Sequence, residues 1–163
     1  MRWLRHLCSR SARSAFPEPS LERIARAIAE GERLHGGQVM FAVEADLPLP
    51  ALWRGVGARE RAEHAFALLR TWDTQANNGV LVYLLLADHA LEIVADRGLQ
   101  GRVDAAQWRQ LCERFAGVRR TDGLEAAVVA TVNEVSRLLA LHYPPVPGQG
   151  IGNELPDRPQ LLG

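Results

Sequence analysis

The order of apolar and polar residues predicts a hairpin in the middle of the chain. Residues 80–86 form an almost unbroken apolar run that follows the polar segment 72–79. A short run rich in Val, Leu and Tyr, bounded by Asn and Gly, is typical of a strand buried on both faces. A second apolar run, residues 90–95, begins directly after the polar pair Asp88-His89. The two runs are therefore predicted to be antiparallel partners.

The region before this hairpin predicts a parallel neighbour. Residues 38–46 form another mostly apolar run, and residues 58–69 repeat apolar positions at helical spacing. A strand, a crossover helix and a strand most simply form a right-handed βαβ unit. The first two strands are therefore predicted to be parallel and the third antiparallel.

Amphipathic helices are predicted on both sides of this sheet. One covers about residues 20–36, one begins at Asp104 and one covers about residues 124–142. The stripe on the second of these helices is predicted to be buried together and consists of Trp108, Leu111, Cys112 and Phe115. The predicted fold is an α/β/α sandwich in which helices flank a small mixed sheet of three or four strands. In the turn before the second strand, Asn78 or Gly79 is predicted to take a positive φ.

Three regions are predicted along the chain. Residues 1–19 form a basic N-terminal arm, residues 20–142 form the α/β domain, and residues 143–163 form a Pro/Gly-rich C-terminal tail. The composition of the tail predicts an extended, poorly ordered segment.

Composition excludes several classes of function. The chain has 163 residues and zero formal net charge, so it shows no general attraction to nucleic acid. All 19 basic residues are Arg, which excludes Schiff-base catalysis by a side-chain amine. Cys8 and Cys112 do not form a disulfide framework, so a reducing, cytoplasmic compartment is predicted. No segment has the roughly 18 apolar residues that are needed to cross a bilayer.

The N-terminal arm leaves three alternatives open. Residues 1–16 contain four arginines and no acid, with Trp and Leu among them. Such a segment fits peripheral contact with an anionic membrane surface. It also fits a transit peptide, or an arm that is either solvated or docked on the domain.

Polar side chains are predicted to gather at the start of the second strand. Because the end of one hairpin arm lies beside the start of the other, residues far apart in sequence meet at this edge: Asp73, Asn77, Asn78, Asp96 and Asp104. Carboxylate and carboxamide oxygens are the ligands that calcium takes. The alternative is structural, because Asn residues form turns and Asp residues cap helices.

A second candidate site lies at the opposite end of the sheet. It is a polar cleft formed by Glu44, Asp46 and Asp88, with Arg54 and Arg61 able to meet an anion. It rests on the general rule that open α/β sheets bind ligands at the carboxyl ends of their strands. The sequence contains no H-E-x-x-H, G-x-S-x-G or G-x-G-x-x-G motif.

The middle of the chain resembles the TPM-domain family. The resemblance rests on the Trp72 to Asn-Asn-Gly approach to a strand, the Asp-x-x-x-Glu-Ile hairpin, the Arg-Gly-Leu turn and the Asp104-Ala105 helix start. It covers about residues 38–141. The family is reported to include calcium-binding members and a thylakoid member with acid phosphatase activity, so the resemblance implies calcium or another divalent cation at the first site. The chain departs from the family pattern in two places. It has Ala95-Asp96-Arg97-Gly98 where a glycine-rich turn is expected after the third strand, and Asp73 stands near a position where glycine is expected.

These observations predict an accessory or interaction module with a protein partner. The alternatives are a divalent-metal-dependent phosphatase and a calcium-binding regulatory domain without catalysis. A phosphatase would need a metal to activate water, because the sequence offers no other obvious nucleophile.

Overall fold

A computed structural model describes residues 2–7, 9–146 and 152–163. Its sheet has the strand order β3-β2-β1-β4, with β1 at Gln38–Glu44, β2 at Gly79–Leu85, β3 at Ala90–Ala95 and β4 at Gln160–Leu162. Strands β1 and β2 are parallel, and β3 is antiparallel to β2. The predicted βαβ unit and hairpin are thereby confirmed.

Seven α-helices occur in the described residues. They are α1 Arg2–Leu7, α2 Ala12–Ala15, α3 Glu18–Glu32, α4 Leu49–Trp53, α5 Ala58–Leu68, α6 Ala105–Thr121 and α7 Leu124–His142. A 3₁₀ turn at Arg97–Leu99 connects β3 to the loop before α6. None of these helices combines the length and the apolar composition needed to cross a membrane.

The helices lie on both faces of the sheet, as predicted for an α/β/α sandwich. Val80 and Val82 of β2 pack with residues of α3, α6 and α7. Leu81 and Tyr83 pack on the other face with residues of α4 and α5. Every residue of β1 and β2 is buried, which explains why both strands have apolar runs without alternation.

The α6 stripe is only partly buried. Leu111 and Phe115 belong to the core, with relative exposures of 5% and 2%. Trp108 and Cys112 are half-buried and pack against the core from its rim. The prediction that all four are buried together is correct for two of them, because α6 lies beside the edge strand β3 and its first turns line an open cleft.

The C-terminal segment is ordered by contacts with β1. The side chain of buried Gln38 accepts hydrogen bonds from the backbone of Glu154 at 2.8 Å and Leu155 at 3.1 Å, and donates to Gly152 O at 3.0 Å. Strand β4 then pairs in parallel with β1. The prediction of a poorly ordered tail is wrong for residues 152–163, because composition does not reveal hydrogen bonds to a residue more than 100 positions away. Residues 147–151 of the predicted tail lie outside the described part.

The turn before β2 also differs from its prediction. Asn77, with φ at 51°, takes the positive-φ conformation that was predicted for Asn78 or Gly79. Gly79 is needed for a different reason. A Cβ at this position would lie 2.0 Å from the backbone oxygen of Thr71.

Glu32 joins α3, β1 and the C-terminal segment. Its buried side chain accepts a hydrogen bond from the Val39 N–H at 2.7 Å, and Asp157 lies beside it. Burial raises the pKa of Glu32 from 4.5 to about 8, and the Asp157 carboxylate adds to this effect. The Glu32 carboxyl group is therefore protonated at neutral pH.

We expect Glu32→Gln to change the pH dependence of stability. The unfolded chain releases this proton near pH 4.5, whereas the folded chain holds it until about pH 8. The folded state therefore binds more protons in this window, and wild-type stability falls as pH rises, by up to about 1.4 kcal/mol per pH unit. Glutamine keeps the acceptor for Val39 and does not titrate. Urea unfolding at pH 5, 6.5 and 8 should show a growing advantage for the variant, and parallel profiles would contradict a protonated Glu32.

Candidate functional site

The loop before β2 and the turn after β3 are joined by hydrogen bonds. Asn77 O accepts from the Gly98 N–H at 2.8 Å, and Asn77 Oδ1 accepts from Arg97 Nε at 3.0 Å. Gly98 has no room for a Cβ, which would lie 2.4 Å from Asn77 O. These hydrogen bonds join the Asn77-Asn78-Gly79 loop to the Arg97-Gly98-Leu99 turn at one corner of the domain.

Asp96 stands at this corner with one carboxylate oxygen unpaired. The Asp96 N–H donates to Gly79 O at 2.9 Å, and Asp96 Oδ1 accepts from the Arg97 N–H at 2.7 Å. Asp96 Oδ2 is buried and has no hydrogen-bond partner among the described residues. An unsatisfied buried carboxylate oxygen is unfavourable, so this atom is suited to a donor or a cation.

Asn78 has a similar unpaired oxygen on the other side of the corner. Its Nδ2 donates to Gly36 O at 2.9 Å, and its backbone N–H donates to Thr74 Oγ1 at 3.1 Å. Asn78 Oδ1 is buried without a partner in the part of the chain that the structure describes. Asn78 lines a small cavity of about 250 Å³ that also contains Tyr143.

The remaining two members of the first group have structural partners. Asp73 is exposed and receives a hydrogen bond from Arg70 at 2.6 Å. Asp104 caps α6, where its Oδ1 accepts from the Gln107 N–H at 2.9 Å and its own N–H donates to Gln107 Oε1 at 3.0 Å. This is the reciprocal capping box that the Asp104 and Gln107 spacing predicts.

The sheet divides the first group between two spaces. Val80 and Ala95 are paired and face α3, α6 and α7, so the pleat turns the preceding pair, Gly79 and Asp96, to the opposite face. Asp96 and Asp104 line one cleft of about 850 Å³ along β3, whereas Asn78 lines the smaller cavity. The structure therefore brings Asp96 and Asp104 to one cleft and places Asp73, Asn77 and Asn78 outside its lining.

A cation in this cleft would have few protein ligands. Within residues 2–7, 9–146 and 152–163, no three His, Cys, Asp or Glu side chains form a metal-binding group. The Asp104 carboxylate is exposed, whereas Asp96 Oδ2 is buried, so a cation that binds both residues requires the Asp96 side chain to turn toward the cleft. Carboxylate and water oxygens are the ligands that calcium takes. Two nearby arginines have other partners, since Arg59 bonds Glu63 and Arg102 stacks on Tyr143.

The second group contains a buried ion pair. Arg61 donates from Nε to Glu44 Oε2 at 2.8 Å and from Nη2 to Glu44 Oε1 at 2.6 Å. Tyr83 Oη donates to the same Glu44 Oε2 at 2.5 Å. Burial and the Glu44 carboxylate raise the pKa of Tyr83, so its hydroxyl stays a donor. Both carboxylate oxygens of Glu44 therefore already accept hydrogen bonds from Arg61 or Tyr83.

The N-terminal arm covers the rest of the predicted cleft. Ser9 Oγ donates to Asp46 Oδ2 at 2.8 Å, and His6 Nε2 lies 3.2 Å from Asp88 Oδ1. Arg54 is exposed at the end of α4. The five residues thus do not share an open cleft. No local pattern in the sequence identifies His6, Ser9 or Tyr83 as partners of these acids, because each pair is more than 30 residues apart.

Comparisons with known proteins agree with this architecture. A family model described as TPM domain matches residues 13–138. The NMR structure of BA42 protein from the psychrophilic bacterium Bizionia argentinensis superposes with a TM-score of 0.75 at 20% sequence identity. The superposition covers 88% of this chain and 92% of the other. No curated protein matches the sequence significantly.

Proposed function

The chain belongs to the TPM domain family, and from this premise we propose that it is an accessory domain that binds a divalent cation, with calcium as the first candidate. The site is the cleft of Asp96 and Asp104. The observation that supports it best is Asp96 Oδ2, a buried carboxylate oxygen without a partner in the described residues. A cation supplies the positive charge that this oxygen lacks.

An accessory role is favoured over hydrolysis by the groups in the cleft. Cys112 is the thiol that lines it, and burial raises the pKa of this thiol to about 11. A protonated thiol is a poor nucleophile at neutral pH. The Asp104 carboxylate is held in its capping box, which limits its use as a base.

We expect calcium to stabilise the wild-type protein through Asp96. A ligand that binds only the folded state raises the melting temperature by mass action, so 10 mM calcium with a Kd of about 1 mM should raise Tm by about 4 °C. Asp96→Asn keeps the shape of the side chain and removes its charge, so it should abolish the shift. Differential scanning fluorimetry at constant ionic strength measures both.

Asp73→Asn is the matched control. Asp73 is exposed and paired with Arg70 outside the cleft, so this variant should keep the full calcium response. An unchanged wild-type Tm, or an equal shift in Asp96→Asn, would contradict the cation site. Hydrolysis of p-nitrophenyl phosphate in the same samples separates the alternatives. A calcium-dependent rate that is lost in Asp96→Asn would replace the accessory role with a phosphatase.

A further inference from the structure

Two short helices at the carboxyl end of β1 expose a joined apolar surface. Helix α1 turns Trp3, Leu4 and Leu7 to solvent, and α4 turns Leu49 and Trp53 to solvent. The centroids of the Trp3 and Trp53 rings lie 5.9 Å apart, so the two helices contact each other through these side chains. We call these five residues the Trp/Leu surface. Trp53 is the most exposed of the five, with a relative exposure of 75%.

Helix α1 is fixed to the domain by its opposite face. His6 is buried, and its Nδ1 accepts a hydrogen bond from the Leu47 N–H at 3.0 Å. The proton of the neutral ring is therefore on Nε2, which faces Asp88. These contacts hold Trp3 and Leu7 outward in a defined orientation, so their exposure is built into the fold.

A basic pocket adjoins α1. It has a volume of about 440 Å³ and is lined by Arg5, Arg10, Arg119 and His89, with Leu84 and Leu86 among its apolar walls. No acidic side chain is among its described lining residues. Asp88 precedes His89 in the chain, and its carboxylate lies 3.2 Å from His6 Nε2.

The cations of this pocket act on the same space. Arg119 Nε is buried without a hydrogen-bond partner in the described chain. Burial lowers the pKa of His89, and the charges of Arg119 and Arg5 lower it further. The pocket thus concentrates positive charge, which attracts an anion.

We propose that this end of the domain docks on the surface of an anionic phospholipid bilayer. The Trp/Leu surface enters the boundary between headgroups and acyl chains, where Trp is favoured. Arg5, Arg10 and Arg119 contact lipid phosphates. A bilayer supplies an apolar region for the Trp/Leu surface and phosphate groups for the arginines. A soluble anion would fill the basic pocket but leave the Trp/Leu surface in water. The proposal does not depend on the cation site, which lies at the other end of the sheet.

Vesicle flotation tests the proposal directly. The wild-type protein is mixed with large unilamellar vesicles of phosphatidylcholine alone or with 30% phosphatidylglycerol, and the bound fraction is measured at low and high salt. We expect about tenfold stronger binding to the anionic vesicles, reduced by salt. Equal binding to both vesicles, or no binding to either, would overturn the proposal.

Paired variants test each part of the surface. Trp53→Ser should lose most of the binding, whereas Trp72→Ser, which removes an exposed Trp from the distant loop before β2, should retain it. Arg10→Glu should lose the preference for anionic vesicles, whereas Arg137→Glu on α7 should keep it. Circular dichroism verifies that each variant is folded. Equal losses in the test and control variants would contradict this surface.

Inorganic phosphate distinguishes the two sources of the anion. If millimolar phosphate stabilises the wild type through Arg10 and vesicles do not bind, the pocket serves a soluble phosphate compound and the membrane proposal is wrong. If vesicles bind and phosphate competes only weakly, the lipid surface is the ligand.

Discussion

Arg61→Met is expected to lower the free energy of unfolding by about 3–5 kcal/mol, because it leaves a buried carboxylate without its cation. Glu44 is only 1% exposed, and Arg61 contacts both of its carboxylate oxygens. Methionine retains much of the apolar volume of the Arg61 stem, so the loss reports on charge rather than on a cavity. Tyr83 alone cannot compensate, since its single hydroxyl reaches only one oxygen.

Two further variants separate this effect from an ordinary loss of a surface arginine. Arg137→Met removes an exposed partner of Glu134 and should change stability by less than about 1 kcal/mol. Glu44→Gln in the Arg61→Met background removes the stranded charge, so the double variant should be more stable than Arg61→Met alone. Urea unfolding measures all three. A small loss in Arg61→Met with no recovery in the double variant would show that the pair is not buried in solution.

The central elements were predictable because their signals are local. The apolar runs of β1 and β2 reflect burial on both faces, and helical spacing between them identifies α5. The capping box of Asp104 and Gln107 also lies within one turn, and its hydrogen bonds are present. These features need no knowledge of distant residues.

The elements that sequence reasoning missed depend on contacts between distant segments. Strand β4 is too short and too weakly patterned to identify, and Gln38 directs the segment before it by accepting two backbone hydrogen bonds. His6 likewise lies in a basic arm whose composition suggests solvent exposure. Its burial follows from one backbone donor, Leu47, and one carboxylate, Asp88.

Strand topology predicted only part of the candidate cation site. Hairpin pairing correctly placed Asp96 beside the start of β2, where its N–H bonds Gly79 O. It did not account for the two-residue period of the strand, which turns Asn78 and Asp96 to different faces. Whether Asp96 and Asp104 bind calcium stays a prediction, and the number of protein ligands is smaller than the sequence suggested.

Phe115→Ala should destabilise the domain by about 3–5 kcal/mol, the loss expected for truncating a large core side chain. Phe115 is 2% exposed and packs in the core between the sheet and α7. Trp108 lies two turns earlier on the same stripe and is half-buried at the cleft, so Trp108→Ala should cause a smaller loss although it removes a larger side chain. Helical spacing predicts equal burial for the two residues. In the structure Trp108 lines the cleft along β3, whereas Phe115 lies in the core. Urea unfolding of both variants at pH 7 measures the difference, and an equal or larger loss for Trp108→Ala would mean that the cleft is closed in solution.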